Sequence, residues 1–129
     1  MPPDSNLREV CLVDDDPSVL RSMQYLLASD GIDVRAFNKA EDFLAHAAVH
    51  RVPVVVTDIW MPGITGLEIL ARTCAITPRP RVIVITARDD LAARATAMAV
   101  GPVAFFIKPF NDEQFLAAVH DALAQATNS

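Results

Sequence analysis

Five short apolar runs rich in β-branched residues alternate along this chain with five segments of helical periodicity. The apolar runs have the length of strands and occupy residues 9–13, 33–37, 52–57, 82–86 and 104–107. The helical segments that follow them occupy residues 17–29, 40–49, 67–75, 89–100 and 111–125. Because strands that alternate with helices form a parallel sheet buried on both faces, the pattern predicts an α/β doubly wound fold.

Right-handed crossovers leave two common strand orders for such a sheet, the Rossmann order and the flavodoxin-like order 2-1-3-4-5. The Rossmann order is disfavoured because aspartates follow the first strand where a glycine-rich phosphate-binding loop would have to lie. We therefore predict a flavodoxin-like five-stranded parallel sheet in the order 2-1-3-4-5, built as (βα)5 and packed as a three-layer sandwich.

The helices differ in how clearly the sequence marks them. Asp16 before Pro17 starts the first helix, and Asn111 before two acidic residues starts the last. The third helix is marked by Leu67, Leu70 and Cys74. The fourth carries a stripe made mostly of alanine, at Leu91, Ala92, Ala95, Met98 and Ala99. Because burying alanine removes less apolar area from water than burying leucine, we expect the fourth helix to shift most easily.

Length and composition indicate one globular domain. The chain has 129 residues, 52% of them hydrophobic. We place the domain at residues 8–125, between an N-terminal extension at 1–7 and a C-terminal tail at 126–129. The net charge of −5 and the lack of a basic cluster disfavour direct contact with nucleic acid.

The remaining bulk features concern the membrane and the cysteines. The polar N-terminus and the strand-sized apolar runs argue against a signal peptide and a membrane-spanning helix, so we expect no membrane contact and a cytoplasmic location. Cys11 and Cys74 lie in apolar segments without metal-ligand spacing, and we predict that both are buried structural thiols.

Three aspartates follow the first strand in the stretch VDDDP, residues 13–17, and Asp58 follows the third strand. In the predicted order these two strands are neighbours, and ligands bind beyond their carboxyl ends. Asp14, Asp15 and Asp58 are therefore predicted to share one cleft, with Asp16 just outside it as a helix cap. Their mutual repulsion calls for a cation, and carboxylate oxygens suit Mg²⁺.

Two hydrogen-bond donors close the next two strands, Thr86 in VIVITA and Lys108 in FFIKPF. Taken singly, these residues and the aspartates have ordinary explanations as caps, strand residues or solvated side chains. Their joint placement at four strand ends of one sheet edge favours a site that stabilises a phosphoryl group. Asp58 is then the natural nucleophile, because aspartyl phosphates are known covalent intermediates.

Four motifs, LVDDDPSVL, VVVTDIWMPGITGLEIL, VIVITA and GPVAFFIKPF, together resemble the receiver domain of bacterial two-component response regulators. The resemblance runs from about residue 9 to residue 123. It is greatest to receivers of regulators that carry a C-terminal DNA-binding output domain. It implies the flavodoxin-like fold already predicted from the alternation of elements.

The resemblance also implies a role for each acid. Asp58 would be the phosphoacceptor, supplied by a phosphohistidine on a partner sensor histidine kinase. Asp15 and Asp58 would bind Mg²⁺ directly, together with the backbone carbonyl of Trp60. Asp14 would act on the ion chiefly through water.

Further roles are implied for the donors and for a switch. Thr86 and Lys108 would hold phosphoryl oxygens, and the Lys108–Pro109 peptide would be cis. Phe105 would be the aromatic switch residue that turns inward when Thr86 is drawn to the phosphate. Phe105 also has a plainer interpretation as a core phenylalanine, inward in both states. A turn before the third helix would be formed by Pro62, Gly63 and Gly66.

The implied function is a phosphorylation switch rather than a turnover enzyme. The fourth helix, fifth strand and fifth helix would display the change as a homodimerisation or partner surface, with regulation of transcription as the output if the chain belongs to a longer regulator. Two alternatives stay open. One is a magnesium-dependent phosphohydrolase that passes through an aspartyl phosphate, although Trp60 stands where such enzymes carry a second acid. The other is an interaction module that is not phosphorylated.

Overall fold

Five parallel strands form one sheet in the order β2-β1-β3-β4-β5, as predicted. This computed structural model describes residues 9–61, 63–87 and 91–127. The strands are β1 Glu9–Val13, β2 Asp33–Phe37, β3 Val54–Asp58, β4 Arg81–Thr86 and β5 Ala104–Ile107. The helices are α1 Pro17–Ser29, α2 Ala40–Val49, α3 Gly66–Thr73, α4 Leu91–Val100 and α5 Asp112–Thr127.

Two apolar clusters, one on each face of the sheet, hold the three layers together. On one face, Phe43 of α2 and Ile69 of α3 pack against Val55 of β3. On the other face, Leu27 of α1 and Phe115 of α5 pack in the second cluster. All five residues of β3 are buried, because this central strand is covered by helices on both sides.

The predicted helix caps at Asp16 and Asn111 are confirmed. The Asp16 carboxylate accepts hydrogen bonds from the Ser18 N–H at 2.9 Å and the Ser18 hydroxyl at 2.8 Å. Both hydrogen bonds lower the pKa of Asp16, and the bond from the Ser18 hydroxyl has the larger effect. The Asn111 side chain accepts from the Gln114 N–H at 2.9 Å. The predicted cis peptide at Lys108–Pro109 is also present, and Thr77–Pro78 is a second cis peptide that was not predicted.

The predicted buried face of α4 is wrong. Ala93 and Ala97 are buried, whereas Leu91 is 77% exposed and Met98 is 52% exposed. Alanines occur on every side of this helix, so the prediction of its buried face depended on the two large apolar residues, Leu91 and Met98. Both of these residues lie on the exposed side of the helix. The predicted start of the helix at Asp89 lies outside the described residues. The light packing expected of α4 is present, because its two buried residues are alanines.

The third helix also differs from its prediction. It begins at Gly66 and ends at Thr73, and it buries Ile69, Leu70 and Thr73, whereas Leu67 is half-buried. Cys74 caps the end of the helix and is exposed, so the prediction of a buried thiol there is wrong, while Cys11 is buried as predicted. The helix ends too early for the predicted stripe to reach Cys74.

Candidate functional site

The aspartates that follow β1 and end β3 meet at one edge of the sheet. Val13 of β1 pairs with Thr57 of β3, so the residues that come next in each strand lie side by side. One carboxylate oxygen from each of Asp14, Asp15 and Asp58 lies within 4.8 Å of the other two. The structure therefore brings together the three acids that the sequence places at these strand ends.

The negative charge of this pocket exceeds its positive charge by an amount that one divalent cation would neutralise. The Lys108 ammonium lies 3.4 Å from Asp14 Oδ2 and 3.9 Å from Asp58 Oδ2. Three carboxylates beside one ammonium leave an excess of two negative charges. Burial raises the pKa of Asp58, while the Trp60 N–H and the Lys108 charge act in the opposite direction. A buried carboxylate of this kind is stabilised by added positive charge.

The spacing of the carboxylate oxygens is compatible with the geometry that Mg²⁺ requires. Mg²⁺ binds oxygen at about 2.0–2.1 Å, so oxygens on opposite sides of the ion lie about 4.2 Å apart. Oxygens on adjacent sides of the ion lie about 2.9 Å apart. The three carboxylate oxygens, all within 4.8 Å of one another, are therefore close enough to reach one ion after small movements. The donor set is oxygen alone, as Mg²⁺ prefers, and it fits one ion.

Backbone hydrogen bonds hold the buried carboxylates in position. Asp14 Oδ1 accepts from the Asp16 N–H at 2.9 Å, and Asp58 Oδ1 accepts from the Trp60 N–H at 3.2 Å. The second oxygen of each carboxylate faces Lys108. Because each carboxylate has one anchored oxygen, the other is available for a cation or for chemistry. The Trp60 side chain is 37% exposed at the rim.

The predicted donors lie at the ends of the neighbouring strands. Thr86 is the last residue of β4 and is fully buried, and its carbonyl accepts a 2.7 Å hydrogen bond from the Lys108 N–H. This bond ties the end of β4 to the segment that carries the ammonium. Phe105 in β5 is partly buried against the core, and the Arg94 guanidinium lies 5.4 Å from the centre of its ring.

A cavity of about 540 Å³ opens beside Asp15, and the sequence analysis did not anticipate its lining. Its wall includes Asn38, Lys39 and Glu41 from the segment after β2, and Met61 and Gly63 from the segment after β3. The predicted strand order could have indicated this lining. Strand β2 ends at the same sheet edge as β1, so the residues that follow β2 must lie near Asp15. Within the described ranges, the helices lack the combination of length and apolarity needed to cross a membrane.

Comparison with known proteins decides the family. The family model described as the response regulator receiver domain matches residues 10–120. This chain is a response regulator receiver domain. Receiver domains are signalling domains, which fits a pocket built to hold charge. Their acidic pocket generally binds Mg²⁺, and the carboxylates of this chain lie in such a pocket.

Curated relatives of this receiver domain include transcriptional regulators. The transcriptional regulatory protein FixJ of Azorhizobium caulinodans is 37% identical over 117 residues, covering 91% of this chain and 56% of that protein. FixJ of Rhizobium meliloti is 36% identical over 113 residues, covering 88% of this chain and 55% of that protein. The chain thus spans about half the length of the curated relatives it matches.

Solved receiver structures share the fold. The structure named FixJ-N has a TM-score of 0.83 and 35% identity, covering 90% of this chain and 93% of its own. A receiver protein from Burkholderia phymatum has a TM-score of 0.79 and 38% identity, covering 90% and 94% of the two chains. The flavodoxin-like fold predicted from the sequence is confirmed.

Proposed function

We propose that Asp58 accepts a phosphoryl group from the phosphohistidine of a sensor histidine kinase. The observation that carries this proposal is the buried Asp58 carboxylate, which shares a pocket with Asp14, Asp15 and the Lys108 ammonium. A carboxylate oxygen of Asp58 forms the new bond to phosphorus as the bond from phosphorus to the donor's nitrogen breaks. The departing imidazole then takes up a proton from solvent.

The residues around Asp58 have separate tasks in this transfer. Asp15 and Asp58 would hold Mg²⁺ with the Trp60 carbonyl, and Asp14 would act chiefly through water. When bound, the ion supplies positive charge to the phosphoryl oxygens. Lys108, whose ammonium lies near Asp14 and Asp58 in this structure, would turn to a phosphoryl oxygen.

Phosphorylation would drive a switch through Thr86 and Phe105. A phosphoryl group adds negative charge and strong acceptor oxygens to the pocket. Moving an equilibrium from 1:99 to 99:1 takes about 5.5 kcal/mol, and hydrogen bonds to charged groups contribute about 1.5–3 kcal/mol each. Two or three contacts that Thr86 and Lys108 make only in the phosphorylated state would contribute about 3–9 kcal/mol, a range that includes this value. The inward turn of Phe105 would carry the change to β5.

The surface that displays the switch is proposed to be α4, β5 and α5, used for homodimerisation or for another partner. Leu91, Met98 and Val103 are large apolar residues exposed on α4 and beside β5, which supports an interface there. Regulation of transcription through an output domain in a longer chain is the proposed biological role, since relatives such as FixJ are named as transcriptional regulators. We propose that residues 8–125 form the receiver, that it works in the cytoplasm, and that it does not itself contact DNA.

The enzyme alternative is not favoured. A phosphohydrolase of the aspartyl-phosphate type needs a general acid for turnover, and Trp60 occupies the position two residues after Asp58 where that acid would stand. The residues instead support a phosphorylated state that persists, with slow self-hydrolysis as its proposed end. The family match also disfavours an interaction module that is not phosphorylated.

Phosphoryl labelling with a small phosphodonor tests this function. We expect one phosphoryl group per chain, detected by intact mass, when Mg²⁺ is present, and loss of labelling when the ion is removed by EDTA. The labelled chain should elute from a sizing column as a larger species than the unlabelled chain. Labelling that is unchanged by EDTA would contradict the metal site. Steady release of phosphate from added monoesters would favour the phosphohydrolase alternative. Labelling without a change in elution would contradict the dimer alone.

A further inference from the structure

A second group of possible metal ligands lies between β1 and α2, away from the acidic pocket. Glu9 and Cys11 are two residues apart on β1, so their side chains leave the same face of the sheet. His46 of α2 packs on that face. One ligand atom from each of these three residues lies within 4.8 Å of the other two. We name this group the Glu9–Cys11–His46 cluster.

One ring nitrogen of His46 lacks a hydrogen-bond partner within the described part of the chain. Among the described residues, no hydrogen-bond partner reaches its Nε2, which is also closed off from solvent. The ring is held by Phe37, whose centre is 5.3 Å away, and by His50, which stacks at 4.6 Å. Burial is the main cause that lowers the pKa of His46, and this favours the neutral imidazole. A neutral imidazole held without a partner is suited to binding a metal ion.

Glu9 is oriented by a neighbouring cation. The Arg35 Nε lies 3.3 Å from Glu9 Oε1. Metal ligands are commonly oriented by such outer contacts, and Arg35 leaves the second Glu9 oxygen for an ion. Arg35 lies beside Cys11 in the sheet register, so the outer contact is built into the pairing of β1 with β2.

We propose that Glu9, Cys11 and His46 bind one divalent transition-metal ion of the zinc class. Sulfur, nitrogen and carboxylate oxygen together are a typical zinc donor set, with bonds of about 2.0–2.3 Å. Three protein ligands leave a fourth position for water. Mg²⁺ avoids sulfur and prefers oxygen, so this cluster and the acidic pocket select different ions.

Binding has to remove a proton from the Cys11 thiol. Burial and the nearby Glu9 carboxylate raise the pKa of this thiol to about 12. The metal–sulfur bond forms as the thiol proton leaves to solvent, and the charges of one thiolate and one carboxylate balance the ion. The bound ion would cross-link β1 to α2 and stabilise the folded chain, since the unfolded chain offers no preformed site.

Cobalt(II) absorption tests the proposal, because a cobalt–thiolate bond gives a charge-transfer band that carboxylate ligands do not. The full chain is titrated with Co²⁺ under excess Mg²⁺, which occupies the acidic pocket. We expect a thiolate band that saturates near one equivalent, and Zn²⁺ should abolish it by displacement. Cys74→Ser, which removes the exposed cysteine, should keep the band, and Cys11→Ser should lose it.

A second variant keeps the test decisive if Cys11→Ser fails to fold. His46→Gln should weaken Co²⁺ binding at least tenfold, whereas His120→Gln, on α5, should leave it within twofold. A wild-type chain without a thiolate band would overturn the proposal. It would also be overturned by a band that survives Cys11→Ser, or by one that disappears in Cys74→Ser. None of these results depends on phosphorylation of Asp58.

Discussion

Replacing Asp58 with alanine is expected to abolish phosphoryl labelling of this receiver domain by a small phosphodonor in the presence of Mg²⁺. Asp58 has one oxygen anchored by the Trp60 N–H and a second that faces Lys108. Asp14 is nearly inaccessible at 2% exposure, and Asp15 is exposed to solvent. Of the two buried carboxylates, Asp58 is the more accessible at 8% exposure, so its removal should reduce labelling below detection by intact mass.

Two further variants separate loss of the nucleophile from loss of the fold. Asp58→Asn keeps the size of the side chain and the oxygen that accepts from Trp60. Burial raises the pKa of Asp58 because it disfavours the charged carboxylate. The neutral amide of Asp58→Asn should therefore give a free energy of unfolding equal to or higher than that of the wild type. Asp121→Asn, on the exposed side of α5, should label normally. Undiminished labelling of either Asp58 variant would refute the assignment.

Gly66→Ala should destabilise the domain by roughly 3 kcal/mol and disturb the phosphoacceptor, because overpacking of a tight site is costly. A Cβ on Gly66 would overlap the carbonyl oxygen of Asp58 and would lie 2.9 Å from the Ile59 Cα. The obstacle is backbone, which cannot rotate away. The Gly66 N–H also donates to the Ile59 carbonyl at 3.0 Å, so α3 begins in direct contact with the strand end that carries Asp58.

Gly63→Ala is the matched control for that change. Gly63 has φ of +78°, where an alanine pays about 1–2 kcal/mol, but its added Cβ would meet nothing closer than 3.8 Å. Urea unfolding should therefore show a larger loss of stability for Gly66→Ala than for Gly63→Ala, and phosphodonor labelling should slow mainly in Gly66→Ala. Equal stability losses in the two variants would show that the contact with Asp58 is not the cause.

The alternation of apolar runs and helical segments was enough to predict the sheet and its order. Runs such as β2, Asp33–Phe37, have the predicted bounds because turn-forming residues lie close to both ends, here Gly31 before the strand and Asn38 after it. The bounds of β3 shifted from 52–57 to Val54–Asp58, and α5 starts at Asp112 and continues to Thr127 rather than 125. Apolarity does not by itself mark where strand pairing begins or where a helix ends.

Packing inside the layers was harder to predict than the layers themselves. On α4 the sequence offers alanine on every side, so the choice of Ala93 and Ala97 as the buried pair depends on the shape of the neighbouring elements. Gly66 resembled part of a turn, but its role is the close approach to Asp58, which only the arrangement of β3 and α3 reveals. Pro62 of that turn lies outside the described residues.

The two ligand clusters show the same contrast. The acidic pocket was predictable because parallel strands deliver their following residues to one edge. The Glu9–Cys11–His46 cluster was not, because its members come from the start and centre of β1 and the second half of α2, not from the carboxyl ends of strands. Their spacing in the sequence resembles no metal motif, and only the packing of the helix on the strand brings them together.

Titration of Mg²⁺ followed by the fluorescence of Trp60 tests the central claim most directly. Trp60 is the single tryptophan of the chain, and its backbone N–H donates to the Asp58 carboxylate. We expect a saturable one-site change that Asp15→Asn weakens at least tenfold. Asp16→Ser removes the adjacent carboxylate but keeps a good helix cap, and it should bind Mg²⁺ within twofold of wild type. Equal Mg²⁺ affinity in the wild type and Asp15→Asn would contradict a shared cation site.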